Sequence, residues 1–183
     1  MNKPAPRKSV GLQHAPAKKV AAPPKASASS WLALSACIIL IDQITKILAK
    51  NQIPLGGGIE MGRYFNLVHV RNPGAAFSFL ADAGGWQQWF LAGLAAVASI
   101  VVTVLLFKYA GQKLFALALS CILGGALGNL IDRIAYGAVI DFLDVHYETL
   151  HWPAFNVADI AISCGALMLI ADELLRVKRD KKA

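Results

Sequence analysis

The chain has 183 residues, 56% of them hydrophobic and 16% charged, with a mean hydropathy of +0.52. Soluble domains run at about 45–50% apolar and about 25% charged, so this composition argues against an ordinary water-soluble core and for burial in lipid. The net charge of +7 lies largely in the tails, with Lys3, Arg7, Lys8, Lys18, Lys19 and Lys25 at one end and Arg176, Lys178, Arg179, Lys181 and Lys182 at the other. Basic tails beside apolar spans set topology more often than they bind nucleic acid, so no nucleic-acid partner is expected.

Residues 1–30 are rich in Pro, Ala, Ser and Lys and lack apolar periodicity. They are expected to be a disordered tail whose charge also suits anionic lipid. The first span is expected at 31–48, near the ~20 residues that cross a bilayer core. Its polar residues Asp42, Gln43, Thr45 and Lys46 argue against a cleaved signal peptide. Residues 49–85 are too polar and too broken by Gly and Pro to span. Within them Gly56-Gly57-Gly58 marks a turn, 64–70 reads as a strand, Asn72-Pro73-Gly74 is a second turn, and 75–80 is a short apolar piece, strand or lid helix.

A second span is expected at 86–107, anchored at one interface by Trp86 and Trp89 and closed by Lys108. Gly111-Gln112-Lys113 makes a tight connection to a third span at 114–134, where Gly124, Gly125 and Gly128 permit close approach of a neighbouring helix. Residues 135–155 read as a loop, and a fourth span follows at 155–175 before a basic tail at 177–183. Cys37, Cys121 and Cys164 all lie in apolar runs without metal-ligand spacing and read as packing residues.

The loops fix an expected orientation. The tails and the 108–113 turn hold most of the Lys and Arg, loop 135–155 holds none, and loop 49–85 holds Lys50, Arg63 and Arg71. Both termini are therefore expected in the cytoplasm and both longer loops outside. In that frame Asp42, Lys46, Asn72, Asn129, Asp132, Arg133, Asp141, Asn156 and Asp159 converge on one level near the external interface. Ionisable groups at such a depth need partners or a function.

Each has a plain structural alternative. Asp42 and Lys46, spaced i, i+4, can form an anchoring ion pair. Gln43 and Thr45 can hydrogen-bond between helices. Asp132, beside Arg133 at a helix end, reads as a structural partner. Asn129 either orients a substrate or braces the fourth span. Asp144 and Glu148 read as solvated. Asp159 lies in the first turn of the fourth span, where a carboxylate is either a helix-start residue or a reactive acid. If Asp141 and Asp159 meet, they can share a proton and hydrolyse a peptide bond as a carboxyl pair. His69, His146 and His151 with Asp144 or Glu148 offer a weaker metal alternative, because their spacing matches no zinc-protease pattern. A transporter with intramembrane acids is the main non-enzymatic rival, but its polar residues should cross the whole span.

Taken in order, Asp42-Gln43-Ile44-Thr45-Lys46, Asn72-Pro73-Gly74-Ala75-Ala76-Phe77-Ser78, GGALGNLIDR from Gly124, VIDF from Val139 and PAFNVAD from Pro153 closely resemble the bacterial lipoprotein signal peptidase family, signal peptidase II. The resemblance covers roughly residues 31–176. It implies an all-α, four-span protease of the bacterial inner membrane with a small external β cradle and lid from residues 49–85. It implies a catalytic dyad of Asp141 and Asp159, supported by Asp42, Lys46, Asn72, Gly74, Gly128, Asn129, Arg133, Asn156 and Ala158, without cofactor or metal. The implied substrate is a prolipoprotein cut before a diacylglyceryl-bearing cysteine, and globomycin-type cyclic peptides are the implied inhibitors. The chain departs from the family pattern in its long basic N-tail and in Pro73.

Overall fold

A computed structural model describes residues 27–74 and 84–181. The expected disorder of residues 1–26, the 75–80 piece and the last two residues of the basic tail lie outside this range. Helix α1 spans Ala28–Gln52, capped by the Ser27 side chain, which accepts from the Ser29 N–H. Residues 28–30, expected to belong to the tail, are its first turn. It ends where Ile53 turns extended before Pro54, the conformation a following proline imposes.

Strands β1 (Gly58–Gly62) and β2 (Phe65–Asn72) form an antiparallel hairpin, the latter close to the expected strand at 64–70. Helix α2 spans Trp86–Tyr109 and α3 spans Lys113–Tyr136. Gly137 stops α3 in a left-handed conformation (φ 70°) and returns its N–H to the Arg133 carbonyl. Helix α4 spans Val157–Asp180, so most of the expected C-terminal tail continues the helix.

Residues 135–155 are not the open loop expected from their turn residues. They form β3 (Val139–Tyr147) and the short β4 (Leu150–His151), giving an antiparallel strand order β1-β2-β3-β4. The β-branched and aromatic residues of VIDFLDVHY carry this strand, and their side chains from Val139 to Phe142 are buried. Pairing sets Val70 opposite Asp141 and Asn72 opposite Val139.

The core is organised on α3, which packs against α1, α2 and α4. Its glycines make this possible. A Cβ at Gly124 would meet Ile38 of α1 at 2.8 Å, one at Gly125 would lie 2.4 Å from the Ala158 carbonyl oxygen of α4, and one at Gly128 would lie 2.6 Å from an Asp42 carboxylate oxygen. Leu106, Ala116, Leu119 and Leu123 form the buried apolar cluster. Large apolar side chains elsewhere point outward, including Leu40, Val97, Ile100, Phe107 and Leu167. Such a surface suits lipid rather than water.

Helices α1, α2 and α3 are long and apolar enough to cross a membrane. Helix α4 carries Asp159, Asp172 and Glu173, which keep it outside that group. All three cysteines are free; Cys37 and Cys164 are exposed rather than packed.

Candidate active site

Three local choices bring the polar residues together. Phe155 bridges the middle of β3: its carbonyl accepts from the Phe142 and Leu143 N–H groups, and its own N–H donates to the Leu143 carbonyl. The start of α4 is thereby fastened beside Asp141. Next, Asn156 caps α4 by accepting from the Asp159 N–H at 3.0 Å, while the Asp159 carboxylate accepts from the Asn156 N–H at 3.2 Å. This capping box fixes the direction of both side chains. Finally, the β2–β3 ladder, which pairs Asn72 with Val139, sets Asn72 within 3.2 Å of Asp141.

The two aspartates are held by amides. The Asn156 Nδ2 donates to Asp141 Oδ1 at 2.7 Å, and Asn72 Nδ2 donates to Asp141 Oδ2. The Asn129 Nδ2 donates to Asp159 Oδ1 at 2.8 Å. The orientation of that amide follows from its other end, because Asn129 Oδ1 accepts from Lys46 Nζ at 2.8 Å and from Asn156 Nδ2 at 3.3 Å. Asp141 is nearly enclosed, at 3% exposure. Burial and the charge of neighbouring Asp159 push its carboxyl up to about 7, against the opposing effect of the Asn72 and Asn156 hydrogen bonds and Lys46.

Beneath this pair lies a second group of charges. Lys46 Nζ is 2.8 Å from Asp42 Oδ2 and 2.8 Å from Asp132 Oδ2, and all three side chains are at most 1% exposed. Gln43 Nε2 adds donors to both acids and to the Gly128 carbonyl. Both acids also grip backbone, Asp132 through the same Oδ2 that meets Lys46 and Asp42 through its other oxygen, Oδ1. Asp132 accepts from the Ile140 N–H at 3.1 Å, and Asp42 accepts from the Ala158 N–H at 2.8 Å. Each gripped residue immediately precedes one of the two upper aspartates. Asp132 thus has Lys46 rather than Arg133 as its close cation and a backbone N–H as a further partner.

Arg133 reaches outward, donating to the Gly74 carbonyl at 3.1 Å and the Asn129 carbonyl at 3.4 Å, and Gly74 N–H donates to Asn72 Oδ1 at 3.0 Å. It thus ties the end of α3 to the turn after β2. Every residue expected at the site lies in this one network, Gly128 and Ala158 by close packing and backbone.

Two expectations fail locally. Thr45 bonds back to the Ile41 and Asp42 carbonyls of its own helix rather than across to another. Asp144 is buried rather than solvated, accepting from Asn66 at 2.9 Å and pairing with His151 at 3.0 Å, because β3 turns it toward β2 and β4. His69 is buried, with Nδ1 2.9 Å from the Ile53 carbonyl oxygen. Among the described residues, no group of three His, Cys, Asp or Glu side chains is placed to hold a metal ion. The backbone grip by Asp42 and Asp132 was not foreseen, and only the pairing of strand and helix reveals it.

A cavity of about 590 Å³ opens beside the aspartates, between α2 and α4 and floored by α3. Asn72, Asn129, Arg133, Asp141 and Asp159 make one end polar; Leu94 and Leu167 are among the apolar residues that continue it along the helices. The cavity can seat an extended chain at its polar end and an apolar segment along its length.

Known proteins resemble this chain over most of its length. A family model described as signal peptidase (SPase) II matches residues 34–175. A lipoprotein signal peptidase of Paraburkholderia phytofirmans is 54% identical over 163 residues, covering 86% of this chain and 95% of its own. One from Ralstonia nicotianae is 55% identical over 149 residues, covering 81% and 86%. Among solved structures, a bacterial membrane enzyme determined by the in meso method superposes with a TM-score of 0.74 at 27% identity, over 84% of this chain and 92% of that one.

Proposed function

The chain belongs to the signal peptidase II family, and from that membership and the geometry above we propose that Asp141 and Asp159 are the catalytic dyad with which it matures lipoproteins. The protein is an aspartic-type protease that removes prolipoprotein signal peptides, and it is a multi-pass membrane protein. The single observation that carries the dyad is the placement of two carboxyls at the polar end of an apolar groove, each held by amides and neither by a close cation.

The division of labour follows from their surroundings. Asp141, with its carboxyl pushed up to about 7, still carries the proton in about half of the molecules at neutral pH, which suits it as the proton donor. Asp159 is the carboxylate, receiving two N–H donors at the positive end of α4. Asp159 takes a proton from water as the oxygen attacks the scissile carbonyl. Asp141 donates to the developing oxyanion, and its proton passes to the leaving amine as the tetrahedral species collapses. The pair titrates as a unit. Metal is not required by this scheme.

The bond cut is the one preceding a diacylglyceryl-modified cysteine. The signal helix lies in the apolar part of the groove and the acyl chains remain in lipid, so only the scissile segment enters the polar end. Asn72 and Arg133 supply donors to its backbone. Helix α4 is the fourth span, both termini face the cytoplasm, and the sheet and site face the exterior, as the basic residues dictate. Globomycin-type cyclic peptides would compete for the same groove.

The test is direct. Purified protein is incubated with lipid-modified prolipoprotein and release of the signal peptide is followed, with and without chelator. Wild type cleaves in both conditions, and Asp141→Asn and Asp159→Asn each fall at least about a thousandfold. Normal cleavage by either variant removes the dyad assignment, and loss of activity on chelation removes the metal-free scheme.

A further inference from the structure

A second concave site lies at the far end of the bundle. The rise along α3 from Lys113 to Asn129 is about 24 Å, so this site is remote from the aspartates. It is a cavity of about 940 Å³ between the α2–α3 turn and the last turns of α4, lined in part by Gln112, Lys113, Asp172, Arg176, Lys178 and Arg179.

Its centre is fixed. The Arg176 guanidinium pairs with Asp172 Oδ2 at 2.6 Å, donates to Gln112 Oε1, and lies 5.2 Å from the centroid of the Phe115 ring. Asp172 is itself buried and ties this guanidinium to the helix body. Around it, Lys113, Lys178 and Arg179 form no ion pair with a carboxylate among the described residues. Four cations therefore face one acid in a single concavity. Helix α3 begins at its rim without a side-chain cap, which adds the positive end of the helix dipole.

The surroundings decide the kind of anion. Phe107, Leu174 and Leu175 are exposed near this end of α2 and α4, and Lys108 closes α2 beside Tyr109. Apolar side chains next to a ring of cations describe a helix end at a bilayer surface, where acyl chains lie against the former and a phosphate meets the latter. We propose that this cavity binds the phosphate headgroup of an anionic phospholipid, with Arg176 as a pre-oriented anchor and Lys113, Lys178 and Arg179 completing the charge match. A planar guanidinium already held by a carboxylate loses little freedom on meeting phosphate, which favours it over a mobile lysine as the anchor.

The test uses the full chain in phosphatidylcholine vesicles containing a few mole per cent of spin-labelled phosphatidylglycerol, reading the motionally restricted lipid fraction. Spin-labelled phosphatidylcholine serves as the neutral comparison. In the triple variant Lys113→Gln, Lys178→Gln, Arg179→Gln, selective association with the anionic probe falls by about a hundredfold, since each surface cation is worth about fivefold. Arg176 and Asp172 are left intact so that the helix packing is kept, and Lys113→Gln alone, which should lose a few-fold, serves if the triple variant does not fold. The basic N-tail is present in every sample, so its own attraction cancels. Equal association of wild type and variant, equal restriction of the two probes, or displacement by inorganic phosphate at matched ionic strength would each overturn the lipid site, the last by making it a soluble-anion site.

Discussion

Two groups of acids lie one above the other in this molecule, and they are treated in opposite ways. Asp42 and Asp132 share the Lys46 ammonium and are fully enclosed. Asp141 and Asp159 face the groove and are held by the neutral amides of Asn72, Asn129 and Asn156. A buried carboxylate paired with a close cation and hydrogen-bonded to backbone is costly to disturb. A carboxyl held only by amides keeps its orientation but can still gain or lose a proton. In the function proposed above, the lower group is the mount and the upper group is the tool. They are joined by backbone, since Asp132 grips Ile140 beside Asp141 and Asp42 grips Ala158 beside Asp159.

The largest expected break between the two groups comes at Lys46. Replacing it in Lys46→Met leaves two buried acids without their cation and should cost about 3–5 kcal/mol of stability. Chemical or thermal unfolding in detergent measures this. Asp159→Asn, expected to be inactive in cleavage, should unfold within about 1 kcal/mol of wild type, because an amide can still occupy the helix start. If Lys46→Met is as stable as wild type, the lower group is not a mount.

The next effect falls on the helix contact that carries Ala158. In Gly125→Ala the new methyl would sit 2.4 Å from the Ala158 carbonyl oxygen, so α4 must shift, at a cost of about 1–3 kcal/mol. Cleavage should fall with stability because Asp159 moves with Ala158. Gly93→Ala on α2, where a Cβ meets nothing within 4 Å, should be neutral or slightly stabilising. Equal behaviour of the two variants would show that close α3–α4 approach is not needed.

The last effect is one of pH. With the Asp141 carboxyl near 7, the reactive proton is lost above that value, and cleavage should decline about tenfold per pH unit on the alkaline limb. Stability shares this origin. A carboxyl raised from 3.8 to about 7 on folding binds its proton more tightly in the folded chain, so its contribution is complete below about pH 4 and is lost as pH rises through about 7. The thermal midpoint should therefore drop between pH 5 and pH 8, and Asp141→Asn should flatten that drop. A drop of equal size in Asp141→Asn would place the titrating group elsewhere.

Much of this was legible in the chain itself. Apolar runs of bilayer length located the helices to within a few residues, because a helix in lipid must satisfy its backbone internally and advertises itself by length. The unusual polar residues were visible as costly exceptions within or beside those runs, and the family motifs named the pair Asp141 and Asp159 among them. Strand β3 was hidden because its turn residues and acids resemble an exposed loop, and a strand is defined by a partner distant in sequence. For the same reason Asp144 looked solvated, though Asn66 and His151 enclose it.

What only the tertiary structure decided is which partner each acid takes. Asp42, Asp132, Asp141 and Asp159 are the same residue type at similar depth, and composition cannot distinguish them. Lys46 is four residues from Asp42, yet it also reaches Asp132 on α3, and Asn129 and Asn156 bridge segments that come together only when Phe155 pairs with β3. The sequence by itself determined that carboxyls would gather at one level of a membrane-embedded bundle. Hydrogen-bond geometry across α1, α3, β3 and α4 determined that Asp42 and Asp132 hold Lys46 and backbone while Asp141 and Asp159 line the groove.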